Sequence, residues 1–288
     1  MGQGTARMRG RRMDRAVDRR ASIVSVVTLS NACVGLIGGL ALVWPGVSLG
    51  RAVGVAAACV FVAFVFDRID GTLARRLGVD SPFGAQLDSL CDVLSFGLLP
   101  ALILVVPALH GGSNIDVAAR VVVATFYLTA TVVRLARFTV AAVDAPGATP
   151  MPRLVIDGDR HYHGLPSPAA AMVVAAVVLL EVFGETGALW LVDWLPRIDG
   201  HAWVSMIMTA AAAIAMGRPW PYPDPPRTFA GRRGARWLLV PLAVVSAVAG
   251  PFAAMSVFAL AYLPVGLLRA RRVNADDGAE RDENPTSQ

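Results

Sequence analysis

The 15 residues from 52 to 66 carry no charge, and the 26 that follow carry five aspartates, among them Asp67, Asp70, Asp88 and Asp92. This juxtaposition leaves few folds open. In lipid a backbone must satisfy its own hydrogen bonds, so the apolar run has to be helical, and carboxylates beside such a run mark a site that uses them. Fifteen residues fall short of the roughly 20 that cross a bilayer. The helix must therefore continue through the motif, with Asp67 and Asp70 near its cytoplasmic end and Arg75 and Arg76 emerging beyond it. Gly78 to Pro82 breaks the helix, and the next apolar run, 83–109, brings Asp88 and Asp92 in at the same depth. Spacings of three and four put each pair of aspartates on one helical face. Gly71, Ala74 and Gly84 supply small residues where a helix or a phosphate can approach closely. The pattern predicts a divalent-metal site shared by two facing helices.

Composition extends the membrane reading to the whole chain. Of 288 residues, 55% are apolar and 16% charged, against about 25% charged in an ordinary globular chain. Apolar runs at 24–44, 52–66, 83–109, 118–140, 166–183 and 201–217, with a last run at 237–268 that turns near Gly250, predict an all-α polytopic membrane protein of about eight transmembrane helices. Six remain if the last pair does not cross. The net charge of +5 is carried by arginine alone, since there is no lysine. Arginine clusters at 7–20, 75–76, 134–137, 218–236 and 269–272 all fall on one side in the eight-span arrangement, which the positive-inside rule makes the cytoplasm. Residues 1–22 are expected to be a basic cytoplasmic tail able to touch anionic lipid, 23–269 the transmembrane catalytic domain, and 270–288 a disordered cytoplasmic tail. No compact basic domain is present to suggest nucleic-acid binding. Cys33, Cys59 and Cys91 form neither a disulfide framework nor a zinc pattern.

Within the first span, a buried Asn31 needs a partner on a neighbouring helix or on a substrate, and Gly35, Gly38 and Gly39 suit close helix packing. Pro100 is expected to kink the third span. Residues 141–165 read as a polar cytoplasmic loop, and Glu181, Glu185 and the tryptophans at 190 and 194 as part of an outer-face connection. Arg134 and Arg137, three apart near the inner end of the fourth span, either snorkel to headgroups or form a cationic pocket for substrate phosphate or carboxylate.

The stretch Asp67-x2-Asp70-Gly71-x2-Ala74-Arg75-x8-Gly84-x3-Asp88-x3-Asp92 resembles, identity for identity, the signature of the CDP-alcohol phosphatidyltransferases. Three further stretches, VTLSNACVGLIGG, VVRLARFTV and GLPSP, resemble the phosphatidylserine synthase branch of that family. The resemblance implies that Asp67, Asp70 and Asp88 are metal ligands and that Asp92 contributes to a second metal position and acts as general base. It implies further that Gly71 lets a nucleotide lie against the helix while Arg75 contacts its phosphates, with Ala74, Gly84, Arg134 and Arg137 among the substrate-binding positions. The cofactors would be Mg2+ or Mn2+, two ions per site. Such oxygen-rich sites suit hard divalent cations.

The implied reaction is transfer of a phosphatidyl group from CDP-diacylglycerol to L-serine, giving phosphatidylserine and CMP. A phosphatidylglycerophosphate or phosphatidylinositol-phosphate synthase would use the same motif. A cation transporter is the alternative from another class, but it predicts acids near mid-bilayer on broken helices, whereas these sit at the cytoplasmic edge. The resemblance also implies a homodimer, and a multi-pass location in the cell membrane with the active site and both termini facing the cytoplasm.

Overall fold

The computed structural model describes residues 2–79, 81–144, 154–156, 159–186, 201–223 and 260–269. Helix α1 (Gly2–Val43) contains a membrane-crossing stretch, Arg20–Val43. The hydroxyls of Ser25, Thr28 and Ser30 donate to carbonyls four residues back, so these polar side chains are satisfied within their own helix. Helix α2 (Leu49–Leu77) ends at Gly78, whose φ of 61° is the left-handed conformation that glycine adopts without strain, and its N–H returns to the Ala74 carbonyl. Arg75 and Arg76 lie in the last turn, complementing the helix dipole.

After a short turn, Ser81 caps helix α3 (Pro82–Asp92) by accepting the Gly84 N–H at 3.0 Å, and Pro82 occupies the first turn, where its missing N–H costs nothing. The chain then widens into a π-helical stretch, Val93–Leu98, before continuing as α4 (Leu99–Leu109). Pro100 supplies the reason. It has no N–H to give and its ring presses on the carbonyl four residues back, that of Phe96; this carbonyl instead accepts the Tyr127 hydroxyl at 2.7 Å. The expected kink is thus a wide turn just ahead of the proline.

Helix α5 (Asn114–Asp144) supplies Tyr127. Helix α6 (Ser167–Thr186) packs against α2, α4 and α7 (His201–Gly217). Its residues from Ala169 to Val178 are all buried, making it the central post of the bundle. Residues Ala52, Val53, Ala56, Ala57, Val60 and Ala63 form the buried face of α2, and small side chains at this spacing let helices approach closely. A Cβ on Gly35 would lie 2.6 Å from Ser95 Oγ, and one on Gly38 2.9 Å from Cys59 Cβ and Leu99 Cδ2. At Gly39 the nearest atom is 3.5 Å away, an ordinary contact. Of the three glycines expected to allow close packing, two are required.

The helical core agrees with the expected class, but four helices, not eight, are long and apolar enough to cross a membrane among the described residues: Arg20–Val43, Leu49–Leu77, Pro82–Leu109 and Asn114–Arg137. Ser167–Glu181, Trp203–Gly217 and Leu260–Arg269 (α8) are shorter apolar helices. The reason is length: the apolar run of α6 stops at a buried Glu181, and Trp203–Gly217 falls below the roughly 20 residues that span a bilayer. The expected turn near Gly250, the 270–288 tail and Trp190 and Trp194 lie outside the described residues.

A second correction concerns the 141–165 loop. Within it β1 (Leu154–Ile156) and β2 (Asp159–His163) pair antiparallel, and β2 pairs with β3 (Pro221–Pro223) in the register Tyr162 to Tyr222. Strand β2 runs into the start of α6 and β3 follows the end of α7, so the packing of α6 on α7 brings the two together. The prolines of β3 sit on an edge strand, where a missing donor is tolerated. Tyr222 donates to the Leu263 carbonyl at 2.9 Å, linking the sheet to α8. Burial pushes its phenol up to about 12, so it stays protonated as a donor.

Candidate active site

The turn between α2 and α3 folds the two motif helices back on one another and brings Asp67, Asp70 and Asp88 together. One oxygen from each lies within 4.8 Å of the others. Asp70 is buried and the other two half-buried. Two unit charges at that separation repel by about 3 kcal/mol at an effective dielectric constant near 20. Hydrogen bonds leave part of this charge unanswered: Asp70 Oδ2 and Asp88 Oδ1 are buried and meet no donor among the described residues. Arg68 Nε reaches Asp67 Oδ2 only at 4.0 Å, and its guanidinium stacks over Phe64 at 5.1 Å. An all-oxygen trio with unpaired buried acceptors fits a hard divalent cation. These three residues could together coordinate one.

Asp92, expected at a second metal position, stands outside that trio. It lies one helical turn beyond Asp88, is buried, and its Oδ1 accepts the side-chain N–H of Asn31 at 3.0 Å. The partner that Asn31 required is therefore a motif aspartate on a neighbouring helix. Thr28, one turn before Asn31 on α1, comes within hydrogen-bonding reach of Asp70. Helix α1 thus forms a third wall of the site.

The remaining motif residues occupy the end of α2 and the start of α3. Arg75 folds back so that its Nη1 sits 3.4 Å from where a Gly71 Cβ would be, and its Nη2 donates to Thr72 Oγ1 at 3.4 Å. Ala74 is half-buried beside it. Gly84 gives its N–H to the helix cap, and a Cβ there would lie 3.2 Å from Ser81 Oγ.

The arginine pair is divided. Arg134 is buried, donates to Ser167 Oγ at 3.1 Å and lies close enough to Asp67 for their charges to interact. Arg137 is exposed. Ser167 had not been singled out from the sequence, although it falls in the GLPSP stretch at the start of α6. The Thr139 and Ser89 hydroxyls, 3.0 Å apart, join α5 to α3 beside Asp88.

At the other end of α5, Arg120 is buried and bonds Asp116, the Leu104 carbonyl and Glu181. The sequence reading missed this pair. A lone arginine in an apolar stretch, away from the cytoplasmic clusters, was the available signal.

Comparison with known proteins gives a consistent result. A CDP-diacylglycerol--serine O-phosphatidyltransferase of Methanocaldococcus jannaschii is 30% identical over 153 residues, 53% of this chain and 58% of that protein. One from Mycobacterium bovis is 33% identical over 174 residues, covering 55% and 56%. An archaetidylserine synthase of Methanothermobacter thermautotrophicus is 30% identical over 159 residues, covering 50% and 60%. The chain therefore spans less than two thirds of the length of these relatives. No solved structure matches it. The model of the CDP-alcohol phosphatidyltransferases matches residues 21–216, which contain the acidic trio, Asp92 and the α1 wall, and on this evidence the chain belongs to the CDP-alcohol phosphatidyltransferase family.

Proposed function

We propose that this protein is a membrane-embedded enzyme that transfers a phosphatidyl group from CDP-diacylglycerol to L-serine, releasing CMP. The observation that carries the reading is the convergence of Asp67, Asp70 and Asp88 beside Asp92, with buried carboxylate oxygens left unpaired. The trio would hold Mg2+ or Mn2+, with Asp92 contributing to a second position, and a bound ion supplies charge neutralisation at the diphosphate.

The residues of the chain do the rest. Arg75, at the end of α2 over Gly71, supplies a planar fork of donors for the nucleotide phosphates, and Ala74 and Gly84 keep the approach narrow but open. Asp92 accepts the proton of the serine hydroxyl as its oxygen bonds to the lipid-side phosphorus. The bond from that phosphorus to the CMP oxygen breaks, and CMP leaves with the electron pair. A base is needed because an aliphatic hydroxyl is a weak nucleophile at neutral pH. Asn31 holds one Asp92 oxygen, which leaves the other to take the proton. Arg134, steadied by Ser167, binds the serine carboxylate, and Arg137 lines the approach from the surface. Serine is favoured over other acceptors because the relatives named above carry serine in their names. The arginine distribution supports an orientation with the site and both termini on the cytoplasmic side.

The test is headgroup transfer by the purified protein in detergent, given CDP-diacylglycerol, Mg2+ or Mn2+, and serine, glycerol 3-phosphate or inositol phosphate in separate reactions. Serine-dependent CMP release with matching phosphatidylserine is expected, falling roughly 100- to 10,000-fold in Asp92→Asn. Release only with a phosphorylated acceptor would overturn the serine assignment and make Arg134 a phosphate ligand. Absence of release with every acceptor would overturn the catalytic reading.

A further inference from the structure

Asn31 is completely buried on α1, and three features of its surroundings are unusual together. Its Nδ2 donates to Asp92 Oδ1 at 3.0 Å. Its own Oδ1 is buried and meets no donor among the described residues. Its backbone carbonyl accepts from Ser95 Oγ at 2.9 Å, at the contact where Gly35 leaves no room for a Cβ. A residue selected only to fill this space would be apolar, because a leucine of similar volume leaves no buried carbonyl oxygen without a donor. What the amide adds over leucine is its bond to Asp92.

The carboxylate needs such a bond. Rotation about the last torsion of an aspartate is broad and roughly two-fold, so nothing within Asp92 decides which oxygen faces the substrate. The backbone after Asp92 also departs from α-helical geometry, since the π-helical stretch begins at Val93. Asn31 addresses both: its side chain grips the carboxylate and its carbonyl anchors Ser95, inside that stretch. We infer that Asn31 is a positioning residue for phosphatidyl transfer, turning one oxygen of Asp92 toward α1 so that the other faces the acceptor hydroxyl. This rests on the reading of Asp92 as the base.

The experiment compares wild type, Asn31→Leu, Asp92→Asn and the double variant, with steady-state and single-turnover CMP release, CDP binding and thermal unfolding measured on each. Asn31→Leu should lower kcat roughly 10- to 100-fold, as expected for a misplaced reacting group. It should leave CDP affinity and the KM for CDP-diacylglycerol within about threefold, the signature of an interaction made only in the transition state. In the Asp92→Asn background, adding Asn31→Leu should slow single turnovers no further, because the group it positions is already gone. Wild-type kcat in Asn31→Leu, a parallel loss of CDP affinity, or a full multiplicative loss in the double variant would each overturn the inference. Wild-type turnover in Asp92→Asn alone would instead overturn the base assignment, and this inference with it, whatever Asn31→Leu does. Should Asn31→Leu yield no folded protein, Asn31→Ala carries the same expectations.

Discussion

At the scale of single residues, the acidic trio makes the sharpest demand. Its oxygens lie within 4.8 Å, so each carboxylate is destabilised by the others until a cation arrives. Mg2+ or Mn2+ should therefore raise the thermal unfolding midpoint of the wild-type protein, by linkage between binding and folding. Asp70→Asn and Asp88→Asn should remove most of that metal-dependent increment while leaving the metal-free protein as stable as wild type or more so, since like-charge repulsion is relieved. A metal-dependent increment that survives in both variants would show that the ion binds elsewhere. Chelation by EDTA should abolish transfer and added Mg2+ or Mn2+ restore it, read by CMP release. Arg134 and Arg137 show how little spacing says about depth. Three residues apart on α5, one is buried against Ser167 and the other exposed, because the start of α6 covers only part of that face.

At the scale of elements, α1 is as much a part of the site as the two motif helices. It closes on the π-helical stretch at Gly35, where an added Cβ would lie 2.6 Å from Ser95 Oγ and 2.9 Å from the Ser95 Cα. Backbone cannot yield as a flexible side chain can. Gly35→Ala should therefore destabilise the protein by about 1–3 kcal/mol. Gly39→Ala, with its nearest neighbour at 3.5 Å, should be neutral or stabilising by up to about 1 kcal/mol through helix propensity. Thermal or denaturant unfolding in detergent distinguishes the two, and equal effects would contradict the packing described.

The far ends of α5 and α6 are held by Arg120 and Glu181, both buried. Arg120→Met alone should cost about 3–5 kcal/mol, because it strands a buried carboxylate, whereas Arg120→Met with Glu181→Leu should recover most of the loss. A double variant no more stable than the single one would mean that the pair contributes more than mutual compensation.

At the scale of the whole molecule, the site lies at one end of the bundle. The turn between α2 and α3, the Arg134–Ser167 contact and the sheet-to-helix junction at Gly164 belong to that end, while Arg120, Glu181 and the turn before Asn114 belong to the other. If the arginine pattern sets orientation as proposed, a cysteine replacing Ser81 in a cysteine-free background should react with an impermeant maleimide only after cells are opened. One replacing Ser113 should react in intact cells, and the reverse pattern would invert the topology.

The sequence by itself determined the helical core, the ends of the four membrane-length helices to within a few residues, and three carboxylates that converge. These depend on local terms: apolar run length against bilayer thickness, spacings of three and four on one helical face, and glycine and proline at the turn. Only the tertiary structure decided the partners across helices. Asn31 meets Asp92 and Arg120 meets Glu181, each pair 61 residues apart; the three-stranded sheet pairs residues 159–163 with 221–223. Periodicity along one helix carries no record of which other helix will face it. That record is written in the packing of small residues such as Gly35 and Gly38, which fixes how α1 meets its neighbours and so places Asn31 against Asp92.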